Sequence, residues 1–248
     1  MSDIPKAFTR KYYDREYFAG IDGGKGFRRP NGSIEKWSYF NPDGEFLGAR
    51  PIAKAWKVVF NPRKLLDVGC GRGTFIAYAR DIGIEAEGFD YSEWAVSDEG
   101  RYPRCKAEWL SLHDATEPWL YEDYSFDLVV VLDLLEHIYL EDLDFVVDQM
   151  HRVSSKYLFL EIACVTPQDY GTIIDPGYAL EKGKPVPIEL ECVAVAGHVL
   201  VQRKEWWIER LEHDDWWLRR DLEEWFRALV PRHTIQNWNT LLIYEYIG

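Results

Sequence analysis

The stretch that decides the fold is Lys64–Phe75, KLLDVGCGRGTF. An apolar run closes on Asp67, and a turn follows with glycine at every second position, Gly69, Gly71 and Gly73. A strand buried on both faces is the mark of a parallel sheet, and the loop after its carboxyl end is where open α/β sheets bind ligands. Glycine has no Cβ, so such a loop can turn sharply and bring its backbone close to a flat or extended ligand. The spacing is GxGxG. A dinucleotide fingerprint would set its third glycine three residues after the second, and a P-loop would need a following GK[ST], which is absent.

Downstream, Thr74–Ile82 reads as a helix that stops near Gly83. Glu85–Asp90, EAEGFD, reads as a second strand. Asp90 ends it, about 20 residues after Asp67, where a carboxylate can accept from both hydroxyls of a ribose. The alternative for Asp90 is an N-cap on the helix through Trp94 and Ala95, a role Ser92 can take instead. Arg104–Asp114 holds the weakest strand pattern. Ser125–Leu132, SFDLVVVL, is a doubly buried strand introduced by Asp127, and it runs into DLLEHI, Asp133–Ile138. A helix around Phe145–Val153 follows the acidic start at Glu141 and Asp142, and Lys156–Ala163 is the fifth strand. Strands alternating with helices define an α/β, doubly wound chain.

DVGCGRG, the acid at Asp90, LHDA (Leu112–Ala115) and the strand into DLLEH resemble, in order, the motifs of class I S-adenosylmethionine-dependent methyltransferases. The resemblance runs from about Leu65 to Tyr157. It implies a seven-stranded, mostly parallel, Rossmann-like sheet with a substrate cap, and S-adenosyl-L-methionine as cofactor, with S-adenosyl-L-homocysteine as product. By that resemblance Gly69, Gly71 and Gly73, with Asp67 and Cys70, cradle the methionine moiety. Asp90 and Tyr91 meet the ribose, Leu112, His113 and Asp114 meet the adenine, and Leu132 lines the pocket. A competing register puts the adenine contact near Ala107 and Glu108. The expected organisation is a cap region over 1–50, a core over 51–164 and 203–248, and a substrate-pocket insert over 165–202. Tyr12–Phe18, YYDREYF, resembles a segment that lies over the cofactor in small-molecule and sugar methyltransferases. Lys204–Leu229 reads as helical with a break at His213–Asp214. Thr234–Ile247 is expected to hold two short strands, like the family's closing antiparallel hairpin.

Composition narrows the partners. The 248 residues carry a formal charge of -13, which argues against a nucleic-acid substrate, because phosphate binding draws on clustered Lys and Arg. Cys70, Cys105, Cys164 and Cys192 form no CxxC pair and read as buried thiols of a reducing compartment. The first residues lack an apolar leader and no run is long enough to span a membrane, so the expected location is cytoplasmic. Eleven tryptophans and 15 tyrosines fit an aromatic pocket or an aromatic-rich core. Trp206–Trp207 and Trp216–Trp217 are expected to pack the terminal helix or a subunit contact, in a monomer or homodimer.

A hydroxyl or amine acceptor needs a base or a metal to take its proton. His198, in the insert, is the first candidate base, and His137 is expected to line the pocket. His113 flanks the adenine position, while His151, His213 and His233 read as surface or structural. DLLEH resembles the ExxEH of ubiquinone-type and small-RNA methyltransferases; in the latter a second histidine about 60 residues on completes a divalent-metal site. That resemblance makes Asp133, Glu136, His137 and His198 a metal-site alternative to the metal-free expectation, with Asp133 one methylene short of the expected glutamate. The leading expectation is methyl transfer to a hydroxyl of a small molecule or sugar. Its rivals are N-methylation, a nucleic-acid or protein substrate, and an inactive cofactor-binding partner subunit.

Overall fold

The computed structural model describes residues 8–19, 27–28, 34–35, 48–165, 177–187, 190, 194, 196–234 and 240–248. In chain order its strands are β1 (Phe27–Arg28), β2 (Ile34–Glu35), β3 (Lys64–Val68), β4 (Glu85–Asp90), β5 (Leu110–Leu112) and β6 (Phe126–Leu132). They continue as β7 (Ser154–Glu161), β8 (Gly177–Ala179), β9 (Leu200–Gln202), β10 (Trp216–Leu218) and β11 (Leu242–Tyr246). The helices are α1 (Arg15–Ala19), α2 (Ala49–Val59), α3 (Thr74–Asp81), α4 (Glu93–Val96), α5 (Leu140–Val153), α6 (Lys204–Arg210) and α7 (Arg220–Leu229).

Seven strands form one sheet in the order β10-β11-β7-β6-β3-β4-β5. β3 to β7 are parallel, β11 runs antiparallel to β7, and β10 antiparallel to β11. The chain starts the sheet at its centre with β3, builds outward to β5, then returns to β6 on the other side. That reversal opens a crevice at the carboxyl ends of β3, β4 and β6. Asp127 anchors the register at the opposite end, where one carboxylate oxygen accepts from the Arg63 and Lys64 amides, both at 2.8 Å.

Period-2 alternation sorts the strand side chains onto two cores. Leu66, Val68, Val129, Val131, Leu158 and Leu160 face Leu143, Val146 and Met150 of α5 and Trp207 of α6. Leu65, Leu128, Val130, Phe159 and Ile243 face Trp56 of α2, Ile76 of α3 and Phe226 of α7. The end of α3 shows why the chain turns back to the sheet at Gly83. With φ +80°, Gly83 lets its amide reach Arg80 O at 3.1 Å while the Ile84 amide reaches Ala79 O at 3.0 Å. That is a Schellman closure, which asks for a residue without a Cβ.

Three expectations are corrected. The Arg104–Asp114 strand shrinks to Leu110–Leu112, preceded by a 3-10 turn at Ala107–Trp109. The helix expected over Lys204–Leu229 divides into α6 and α7, because Trp216–Leu218 pairs with Leu242–Tyr246 as an edge strand. The closing antiparallel pair is therefore β10 with β11, rather than two strands within 234–247; residues 235–239 lie outside the described residues. The tryptophan pairs divide likewise: Trp207 and Trp216 are buried in the core, and Trp217 points outward. Cys70, Cys105 and Cys164 are buried free thiols, while Cys192 lies outside the described residues. Among the described residues no helix is long and apolar enough to cross a membrane.

His151, on α5, is buried rather than at the surface. Its ring lies 4.6 Å from that of His213 and 5.1 Å from Trp216, and neither ring nitrogen has a partner among the described residues. Burial first, and His213 second, lower its pKa to about 4. The unfolded chain therefore takes up a proton from about pH 6.5 downward that the folded chain takes up only near pH 4. Stability is lost across that window as pH falls, by up to roughly 3 kcal/mol. Urea midpoints of wild type and His151→Phe at pH 7 and pH 5 check this: the wild type loses ground to the variant at pH 5, and parallel curves would contradict it.

Candidate functional site

The glycine turn closes on itself and on the neighbouring strand. The Gly69 and Cys70 amides both donate to Phe89 O, at 2.9 and 3.0 Å, and the Gly73 amide donates to Cys70 O at 3.0 Å. All three glycines have positive φ, +74°, +52° and +77°, a region where a Cβ is strained. Their surroundings differ. Gly69 and Gly71 border a cavity of ≈ 250 Å³ at the carboxyl ends of β3, β4 and β6, whereas Gly73 does not. A Cβ on Gly73 would lie 2.6 Å from Cys105 Sγ. Gly73 lets α3 begin tightly against the Cys105–Leu110 segment.

Asp90 organises the turn from the next strand. One carboxylate oxygen accepts from the Gly71 amide and the other from the Ser92 amide, each at 2.7 Å. Ser92 itself caps α4, accepting from the Ala95 amide at 3.0 Å. Burial raises the Asp90 carboxyl, and the three amides of Ser92, Gly71 and Tyr91 pull it back. Asp67 lacks that help. It is 2% exposed, its Oδ2 has no hydrogen-bond partner among the described residues, and burial with the nearby Asp90 charge pushes its pKa up to about 8.

Cys70, Tyr91 and Leu132 lie on the cavity wall as expected, and so do His113 and Asp114. Asp114 Oδ1 accepts from the Thr116 amide at 2.9 Å and from its hydroxyl at 2.8 Å, which holds the loop as an Asx turn. Leu112, 42% exposed, is not on this wall. Ala107 and Glu108 of the competing register are also off the wall.

The N-terminal aromatic segment lies over the opening. Phe8, Tyr13, Tyr17 and Phe18 all line the cavity. The Tyr13 carbonyl accepts from the Ser92 hydroxyl, and the Tyr17 hydroxyl donates to Ala196 O at 3.2 Å, tying this segment to α4 and to the insert. Tyr13 Oη lies 3.2 Å from His137 Nδ1, and Gly197 O lies 3.1 Å from the same nitrogen. Because a carbonyl can only accept, the proton is assigned to Nδ1, which leaves the Nε2 lone pair as the ring's proton acceptor. Gly197, φ +87°, makes this meeting physically feasible: a Cβ there would lie 2.8 Å from Tyr13 Oη and 3.0 Å from His137 Nδ1.

His137 lines the cavity; His198 does not. The Val199 amide donates to Glu136 O at 2.8 Å and the Tyr178 hydroxyl to His198 O at 3.1 Å. Those bonds fix the backbone so that the His198 ring stands edge-on against His137, 4.9 Å between centroids. Burial lowers the pKa of both rings, that of His137 to about 4. Of the four residues in the metal alternative, three come together: donor atoms of Glu136, His137 and His198 lie within 4.8 Å of one another. Asp133 stands outside that group. It adopts a left-handed φ of +48° ahead of a 3-10 turn, so the single helical face expected for Asp133, Glu136 and His137 does not form. Glu136 is fully buried, accepts from the Ala163 amide at 3.1 Å, and its Oε2 has no partner among the described residues.

Several wall residues escaped the sequence reading. Glu161, Asp142 and Lys182 line the cavity, with Lys182 Nζ 2.9 Å from Asp142 Oδ2 across its mouth. Gly88, next to the wall and not part of it, carried a readable signal, since a glycine inside a strand marks close backbone approach. A Cβ there would strike the Asp67 carbonyl and lie 2.9 Å from Cys70 Cβ.

A sheet that reverses at β3, a backbone turn on its carboxyl side and acids at the ends of β3 and β4 define a doubly wound nucleoside-binding protein of the methyltransferase type. The chain matches the methyltransferase-domain family over residues 38–229, and it belongs to that family, the class I S-adenosylmethionine-dependent methyltransferases. It is similar to a ubiquinone biosynthesis O-methyltransferase of Pelagibacter ubique, 24% identical over 139 residues, or 54% of this chain and 57% of that relative. The chain thus spans little more than half of that relative's length. In fold it is similar to the plantazolicin methyltransferase BpumL in complex with SAH and a pentazolic desmethylPZN analogue (TM-score 0.50, 14% identity, 84% of this chain and 86% of that one). A putative methyltransferase of Bacillus halodurans C-125 gives a TM-score of 0.51 at 15% identity, over 78% of this chain and 97% of the other. The residues present fit the family's cofactor: an orphaned acid oxygen on Asp67 awaits a cationic partner, and Asp90 keeps acceptor capacity beside a turn that a side chain at Gly69 or Gly71 would fill.

Proposed function

We propose that the protein transfers a methyl group from S-adenosylmethionine to a hydroxyl of a small molecule or sugar, with His137 taking the proton. The observation that carries this reading is His137 on the cavity wall, its tautomer set by Gly197 O and its Nε2 lone pair left to accept. When bound, S-adenosylmethionine supplies an electrophilic methyl group and departs as a neutral thioether. Asp90 and the glycine turn hold the nucleoside, and the aromatic rings of the N-terminal segment, Tyr13 and Phe18 among them, exclude water from above. His198 acts through His137, packed behind it, rather than on the acceptor. Glu136 carries the backbone to which both histidines are tied.

The -13 charge and the carboxylates on the wall speak against a nucleic-acid acceptor. Methylation of an amine remains the competing chemistry, and the test separates the two. Labelled methyl transfer from S-adenosylmethionine is measured against a panel of phenols, sugars and primary amines. Label on oxygen supports the proposal, whereas label on nitrogen alone, or on none of them, counts against it.

Because burial lowers His137 to about 4, its ring is neutral and able to accept across the physiological range. Single-turnover rates should therefore stay flat from pH 8 down to about pH 5 instead of falling near 6.5. His137→Ala should lose roughly 10²–10⁴-fold in rate with cofactor affinity unchanged. Equal loss of affinity would mean a packing role instead. Glu136, His137 and His198 would also suit a divalent cation. Activity that survives EDTA supports the proton-accepting role, and loss restored by added Mn²⁺ or Zn²⁺ would reassign the three as ligands.

A further inference from the structure

Two buried carboxylates stand at neighbouring strand ends under the glycine turn. Asp67 and Asp90 are 2% and 9% exposed, and both line the cavity. Asp90 accepts one backbone amide on each oxygen, from Gly71 and Ser92, while Asp67 Oδ2 has no partner among the described residues. The titratable groups facing this pair bring little positive charge. Cys70 and Cys105 are buried thiols that burial holds neutral, and Asp133 and Glu161 on the other side of the cavity are acids. Arg72 donates from Nε to Gly100 O and lies over the Trp94 ring at 5.7 Å. The other wall cation, Lys182, is at the mouth with Asp142.

Two desolvated carboxyls without a cation between them do not both ionise. We propose that Asp67 holds a proton in the ligand-free protein, next to the amide-bound Asp90 carboxylate, and releases it when a cationic nucleoside enters, so that the site selects for positive charge and turns away phosphate-bearing nucleotides. This rests on the cofactor reading above. The O–H bond on Asp67 breaks, its electron pair stays on the carboxylate, and the proton passes to the solvent buffer. The positive charge of the ligand then takes the place the proton held. The elevated pKa of Asp67, about 8, agrees with an acid that is largely protonated at neutral pH beside the Asp90 charge. The sign follows: the group is neutral below that value, so a cation must expel a proton there, and above it the acid is already ionised.

Isothermal titration of the full chain with S-adenosylmethionine at pH 7, in phosphate, HEPES and Tris, decides the matter. The expected heat varies with the ionisation enthalpy of the buffer, by an amount matching release of close to one proton per ligand. Heat that is the same in all three buffers overturns the proposal and leaves the cofactor reading standing. No heat in any buffer overturns both. Asp67→Asn is expected to bind with heat independent of buffer, and a variant that still releases a proton would overturn the assignment to Asp67. Should that variant not fold, the wild-type Kd carries the decision. Affinity is expected to weaken close to tenfold per pH unit below about pH 8 and to level off above it; a Kd independent of pH overturns the proposal. NAD, with its diphosphate, should give no competing heat at millimolar concentration, and competition would argue against the selectivity.

Discussion

Asp90→Ala is expected to abolish measurable cofactor binding and to lower stability by about 3 kcal/mol. The stability figure follows from two charge-assisted hydrogen bonds to buried amides, each worth roughly 1.5–3 kcal/mol. Relief of the carboxyl's own burial offsets part of their loss. Without them the Gly71 and Ser92 amides, held at 2.7 Å in the native turn, are left unpaired. The turn then loses the shape that Gly69 and Gly71 give it. Loss of the proposed ribose contact adds an expected fall in affinity of at least ~100-fold, the equivalent of about 3 kcal/mol. Asp90→Asn separates the two effects, since it keeps one acceptor oxygen while losing the charge. Urea denaturation alongside titration with S-adenosylhomocysteine measures both, and an alanine variant that binds within threefold of wild type would contradict the assignment.

The second large effect is thermal. Trp207 is fully buried among Leu158, Leu160 and the residues of α5, and its ring meets Trp206 edge-on at 5.0 Å between centroids. Trp207→Ala removes one of the three buried tryptophans of that core among the described residues and leaves a cavity the neighbouring strands cannot close. A cost of about 3–5 kcal/mol is expected, which for a chain of this size lowers Tm by roughly 10 °C. Trp217, 62% exposed on the edge strand, provides the control. Its change to alanine should stay within about 0.5 kcal/mol. Calorimetry of the two variants checks the contrast, and similar melting temperatures would mean that α6 is not docked on the sheet as described.

What could be read in the sequence was local. Asp67, the glycine turn and Asp90 were legible because a strand buried on both faces, a run of residues fit for positive φ and a strand-end acid each leave a short-range pattern. Gly73 belonged to the same pattern, but its close packing on Cys105 and Leu110 was not legible, because those neighbours come from a segment whose path no periodicity announces. The strand at Trp216–Leu218 was hidden for a related reason. Three residues flanked by helices carry too little period to stand out, and their state is decided by pairing with Leu242–Tyr246. His198 was placed in the pocket by its segment, but the backbone bonds from Tyr178 and Val199 turn it behind His137. Gly197, directly before it, does more for the site than the histidine does, by leaving room for Tyr13.

The position of β11 also bears on how the protein is made. β11 lies between β7 and β10, yet it is synthesised about 80 residues after β7 ends. At translation speeds of about 5–20 residues per second, the nascent chain presents β7 as an open edge for several seconds before its partner exists. Tyr157–Glu161, YLFLE, is apolar enough to template the wrong pairing during that interval. Lys156, exposed near the start of β7, puts a charge beside that edge while the ribosome finishes the strand that covers it.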